Sequence, residues 1–158
     1  MFGFLKGKKS EIVSPLSGDV LPITECADEV FSSKALGNGL VIMPTGNDVF
    51  APIDGTVVQV AETVHAVCLE GEDGLELLIH LGIDTVSLGG EGFECFVKTG
   101  DKVKKGDKIA TMDREFIKSK GLKLDSPVIL LNEDQLSDVG FNTGTATGGE
   151  TVIVSYKK

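Results

Sequence analysis

The chain contains two histidines, and each stands in an apolar run on one side of a turn. His65 lies in Thr63-Val64-His65-Ala66-Val67-Cys68-Leu69, and His80 in Leu75-Glu76-Leu77-Leu78-Ile79-His80-Leu81. Between them is Glu70-Gly71-Glu72-Asp73-Gly74, a strong hairpin signal. A four-residue loop, Gly71 to Gly74, sets Glu70 opposite Leu75 and His65 opposite His80, with Cβ atoms roughly 5 Å apart. A two-residue Asp73-Gly74 loop makes the rings diagonal neighbours on one face. Only an odd-length loop places them on opposite faces.

Such a pair has three readings. The plainest is two unrelated polar side chains on a solvated face. The second is a metal site, but zinc usually takes three or four protein ligands, and the sequence has no HxH, HExxH or CxxC. The third is phosphoryl transfer. A neutral imidazole offers a lone pair near neutral pH and can attack phosphorus, while a second ring donates a hydrogen bond to the phosphate oxygens. Thr63 could anchor a ring nitrogen through its hydroxyl. The segment Leu81-Gly82-Ile83-Asp84-Thr85-Val86 would bring a backbone carbonyl and a carboxylate near the site.

The elements that must position these residues are short. The chain has 158 residues, of which 20 are Gly and 5 Pro, punctuating the β-branched runs Gly55–Val60, Val64–Leu69, Leu75–Leu81 and Thr151–Ser155. This spacing predicts an all-β fold, an antiparallel sandwich or barrel. Helix is expected only over Asp113–Lys118, with a turn over Asn132–Ser137 after an N-capping Asn. Ser14-Pro15-Leu16-Ser17-Gly18-Asp19-Val20 resembles Ala51-Pro52-Ile53-Asp54-Gly55-Thr56-Val57, an internal duplication. Val103–Ile109 has a similar turn-then-strand look. Two related halves folding over each other would make one sandwich. The expected organisation is a flexible tail over residues 1–10 and a single domain over 11–158.

With 15 basic and 24 acidic residues the net charge is −9. Such a surface argues against nucleic acid and favours a partner with a basic face. Cys26, Cys68 and Cys95 are three in number and irregularly spaced, so they read as buried free thiols in a reducing compartment. No stretch reaches the length of a membrane span. Phe2, Phe4 and Leu5 followed by Lys6, Lys8 and Lys9 could touch an anionic membrane, but a solubilising tail is the stronger reading.

Several strings together resemble the glucose-type enzyme IIA component of the phosphoenolpyruvate-dependent sugar phosphotransferase system. They are Asp28-Glu29-Val30-Phe31, Gly37-Asn38-Gly39, Pro44-Thr45-Gly46-Asn47, Ala51–Thr56, Thr63–Ala66, His80–Val86 and Gly90-Glu91-Gly92-Phe93. The resemblance covers about the whole chain beyond the first ten residues. It implies a cytoplasmic β-sandwich, active as a phosphotransferase component and reaching the inner face of the membrane transiently through its permease. His80 would accept phosphate at Nε2 from the histidine phosphocarrier protein and pass it to a cysteine of an enzyme IIB domain. His65 falls on the family's second active-site histidine, Thr63 on its neighbouring threonine, and Gly82 on the carbonyl that orients the phosphorylated ring.

The resemblance further implies an apolar docking rim at Val30, Phe31, Ala35, Leu36, Leu78 and Val86, with acidic positions at Asp28 and Asp84. Ala61 and Leu78 stand where relatives often carry aromatics, so a less bulky rim is expected. No cofactor is implied. Zinc enters only at a partner interface, shared between His65, His80 and a partner carboxylate. Some relatives also bind regulated enzymes or transporters. The alternative is a zinc-dependent hydrolase of related β-hybrid architecture, by analogy of fold alone.

Overall fold

The computed structural model describes residues 9–158. The expectations for the first eight residues lie outside the described residues. Strand β1 (Ser10–Val13) opens the described fold and pairs with the last strand, Ser10 standing opposite Tyr156.

Thirteen further strands follow: β2 (Gly18–Pro22), β3 (Asn38–Pro44), β4 (Asp48–Phe50), β5 (Gly55–Val60), β6 (Ala66–Gly71), β7 (Glu76–His80), β8 (Phe93–Cys95), β9 (Lys102–Val103), β10 (Lys108–Met112), β11 (Ser126–Leu130), β12 (Ser137–Phe141), β13 (Gly144–Ala146) and β14 (Val152–Lys157). Eight of them form one sheet in the order β13-β2-β3-β11-β7-β6-β5-β9. Two three-stranded sheets, β1-β14-β12 and β4-β10-β8, complete the sandwich. Every pairing is antiparallel.

Period-two alternation divides the large sheet into two faces. Leu40 and Ile42 on β3, Leu77 and Ile79 on β7, and Val128 and Leu130 on β11 enter the main core. There they meet Ile12, Val49, Ile109, Met112 and Ile153 of the smaller sheets. The intervening residues Val41 and Ile129, with Leu78 packed against them, join Ile23, Cys26, Phe31 and Ile83 in a second cluster. His80 ends β7 two residues after Leu78, so it belongs to this second face.

The duplicated motif meets itself. Val13 N donates to Pro52 O at 3.1 Å, and Phe50 N donates to Pro15 O at 2.8 Å, the same bond from each copy. Each copy then starts a strand at a glycine that the neighbouring strand crowds. A Cβ at Gly18 would lie 2.1 Å from Met43 O, and one at Gly55 would lie 2.2 Å from Glu70 O. The third piece docks on the second copy: Ala51 N donates to Asp107 O and Gly106 N to Ala51 O, at 2.7 and 2.9 Å.

Helix is as scarce as expected. Arg114–Ser119 is helical, with Asp113 capping it by accepting from Phe116 N. Asn132 corrects its expected role. A 3-10 turn does follow at Glu133–Gln135, but the Asn132 side chain does not cap it. It accepts from Glu76 N and donates to Gly74 O instead, bracing the hairpin that carries His80. The four-residue helix Glu29–Ser32 was not foreseen. Of the cysteines only Cys26 is buried, while Cys68 and Cys95 are half-buried free thiols.

Candidate functional site

The hairpin of β6 and β7 corrects the expected register. Glu70 pairs with Glu76 and Ala66 with His80, so Ala66, not His65, stands opposite His80. The loop is Glu72-Asp73-Gly74, an odd three residues closed by Gly71 N to Leu75 O, with Gly74 at φ +89°. Glycine serves here because a three-residue hairpin loop ends in a left-handed residue. In a regular ladder this register would put the two imidazoles on opposite faces.

They meet nonetheless, with ring centroids 5.0 Å apart at an interplanar angle of 80°. The reason is that His65 precedes the regular part of β6. Val64 N donates to Ala61 O, closing a tight turn, and Val64 itself sits at φ +48°. A β-branched residue there is a genuine outlier, strained by roughly 1–3 kcal/mol. The chain leaves the ladder at this point, which frees His65 to lie against His80. Its carbonyl still accepts from Leu81 N at 2.8 Å, tying the two segments together.

Hydrogen bonds give the rings complementary roles. His80 Nδ1 is 2.7 Å from Gly82 O. A carbonyl only accepts, so Nδ1 holds the proton and Nε2 of the neutral ring keeps its lone pair. His65 Nδ1 is 2.5 Å from Thr63 Oγ1. When the threonine hydroxyl donates, His65 carries its own proton on Nε2 and becomes a donor toward whatever His80 holds. Burial pushes both imidazoles below their usual range. For His65 the charge of His80 adds to this, whereas for His80 the Gly82 carbonyl and then Asp28 and Asp84 pull part of the way back. The neutral form of each ring therefore predominates at pH 7.

The surroundings sort the remaining residues. Phe31 packs on the His80 ring, centroids 5.0 Å apart. It is only 5% exposed and lies in the second core cluster, unlike the exposed residues of the rim that the resemblance implies. Val30, Leu36 and Val86 are 52%, 44% and 57% exposed, Ala35 is exposed, and Leu78 is half-buried against the second cluster. Asp28 caps the helix Glu29–Ser32 by accepting from Val30 N at 2.9 Å. Asp84 is exposed in a left-handed conformation at φ +60°. The sequence reading missed Val64 as a turn residue, since valine signals strand. It also missed the buried hydroxyls of Thr85 and Ser126 behind Gly82.

Two neutral imidazole nitrogens suit zinc, but a closed site needs further donors. Among the described residues no group of three or more His, Cys, Asp or Glu could hold a metal.

A profile of the family described as "phosphoenolpyruvate-dependent sugar phosphotransferase system, EIIA 1" matches residues 10–136. The chain belongs to this family. A "PTS system glucose-specific EIIA component" of Buchnera aphidicola is 44% identical, covering 96% of this chain and 94% of its own. One of Haemophilus influenzae is 37% identical, covering 100% and 96%. A "PTS system glucose-specific EIIBCA component" of Corynebacterium glutamicum is 47% identical over 93% of this chain, which corresponds to 22% of that longer protein. The solved glucose permease IIA of Mycoplasma capricolum superposes with a TM-score of 0.87 at 35% identity, covering 94% and 96%. As a member of the EIIA family the protein is a phosphoryl carrier of a sugar phosphotransferase system. Nothing in these likenesses favours a zinc hydrolase. No helix among the described residues is long and apolar enough to cross a membrane.

Proposed function

We propose that this EIIA protein takes a phosphoryl group onto Nε2 of His80 from the histidine phosphocarrier protein and hands it to a cysteine of an enzyme IIB domain in a membrane sugar permease. The observation that carries the reading is the bond from His80 Nδ1 to Gly82 O, which leaves Nε2 unprotonated on a ring whose centroid is 5.0 Å from that of His65. The new Nε2–P bond forms as the N–P bond of the carrier breaks. His65, held by Thr63, donates to the phosphoryl oxygens and stabilises charge as the group leaves. The site calls for no cofactor. Zinc shared by His65, His80 and a partner carboxylate is a conditional addition at an interface. The setting is cytoplasmic, at the inner face of the membrane while the permease is engaged. Incubation with phosphoenolpyruvate, enzyme I and the phosphocarrier, followed by intact mass, should show one added phosphoryl group. An unchanged mass would contradict the reading.

The pH dependence follows from the sign of the shift. A protonated His80 has no lone pair, and its pKa lies below the ordinary 6.5. Acceptance from pre-phosphorylated carrier should fall on acidification with a midpoint below pH 6.5. A midpoint at or above 6.5 in single-turnover labelling would show that the acceptor's pKa is not lowered.

Docking separates by burial. Val86 is 57% exposed, so Val86→Lys should raise the KM for the carrier and leave thermal stability unchanged. Phe31→Lys should unfold the protein at lower temperature as well, because it drives an ammonium into the second core cluster. Equal stability losses in the two variants, measured by calorimetry, would overturn this division of the rim.

A further inference from the structure

With His80 as acceptor, the Gly82 carbonyl oxygen is the atom that meets its Nδ1, and two buried hydroxyls hold the peptide unit just before that carbonyl. The peptide unit joining Leu81 and Gly82 is held at both ends. Leu81 O accepts from Thr85 Oγ1 at 2.6 Å, and Gly82 N donates to Ser126 Oγ at 3.3 Å. Ser126 spends its own proton on Leu124 O at 2.8 Å, so it meets Gly82 N with a lone pair. The next peptide unit is held in the same way, with Ile83 N donating to Lys123 O at 3.0 Å while Gly82 O faces His80 Nδ1.

Packing enforces the arrangement. Gly82 sits at φ +80°, and a Cβ on it would lie 2.5 Å from Thr85 Cγ2. Thr85 and Ser126 are both 0% exposed. Leu81 also donates its N–H to His65 O, so the clamp holds the backbone of both histidines.

We propose that Thr85 and Ser126 are positioning residues that select the reactive tautomer of His80. Neither touches the ring or the phosphoryl group. Together they lock the Gly82 carbonyl against Nδ1, and that carbonyl keeps the proton off Nε2. Without the clamp the carbonyl drifts and the proton distributes over both ring nitrogens, so part of the protein lacks its nucleophile. The inference rests on the reading of His80 as acceptor.

The test is ¹⁵N NMR of the imidazole nitrogens in the unphosphorylated protein, held at a pH where His80 is neutral, together with single-turnover labelling. Thr85→Val keeps the methyl packing and removes the hydroxyl. It should give His80 a mixture of tautomers and slow acceptance about tenfold, the order of one lost buried hydrogen bond. Thr85→Ser retains the hydroxyl and should restore the Nδ1–H signature and the rate. Ser126→Ala should behave as Thr85→Val does, and it carries the test should Thr85→Val fail to fold. A wild-type tautomer and rate in Thr85→Val or Ser126→Ala would overturn the proposal. So would a Thr85→Ser protein as slow as Thr85→Val, because packing rather than the hydroxyl would then be responsible. The tautomer is read without phosphate, so failure here is distinct from failure of His80 as acceptor.

Discussion

His80→Ala should fold and accept no phosphate. The His80 side chain lies at the end of β7, half-buried on the second face. Its truncation removes the ring that packs on Phe31, a modest loss beside a core deletion. Chemistry suffers far more. Removing a nucleophile commonly costs on the order of a million-fold. Labelling from phosphorylated carrier should therefore fall to background while circular dichroism stays unchanged. Acid-labile, base-stable label surviving in this variant would move the acceptor elsewhere, and His65 would be the first alternative.

His65→Gln should split the two half-reactions. The nucleophile and its Gly82 partner are untouched, so acceptance should stay close to wild type. Passage to the enzyme IIB cysteine should fall by about a hundredfold or more, as expected when a positioned proton donor is lost. Once His80 carries phosphate, the added negative charge favours the protonated, doubly donating form of His65. A glutamine amide cannot respond in that way. Measuring the two rates separately decides the matter. Equal slowing of both steps would make His65 a docking residue, and unimpaired onward transfer would make it a bystander.

Much of this site was legible because strands and turns leave strong local signals. Gly55–Val60 is a strand with the bounds read from its β-branched run, and β7 falls within the run Leu75–Leu81, whereas β6 starts two residues later than the run Val64–Leu69 and leaves His65 outside it. The duplicated Pro-x-x-Gly motif correctly implied two halves closing on each other. The register was not legible, because Glu-Asp-Gly and Gly-Glu-Asp-Gly loops leave the same residues between the same strands, and only the observed ladder distinguishes three from four. The rescue of that register by Val64 was hidden for a physical reason. Valine at φ +48° is imposed by the surrounding hydrogen bonds against its own preference.

Other differences have the same origin in tertiary context. Phe31 beside an acidic helix start reads as docking rim or as core, and in the structure it is buried in the second cluster against the His80 ring. The helix Glu29–Ser32 is four residues long, too short to show helical periodicity. Asn132 carries the composition of an N-cap, but the hairpin of β6 and β7 offered its side chain two better partners. Thr85 and Ser126 gave no signal, because a threonine after Asp and a serine before Pro look like ordinary turn residues.

The most direct measurement of the central claim is the site of the phosphoryl group on the phosphorylated protein itself. ³¹P–¹⁵N coupling in protein labelled with ¹⁵N-histidine reports both the residue and the nitrogen. The geometry requires coupling to Nε2 of His80, with Nδ1 still protonated against Gly82 O. Coupling to His80 Nδ1, or to either nitrogen of His65, would contradict it.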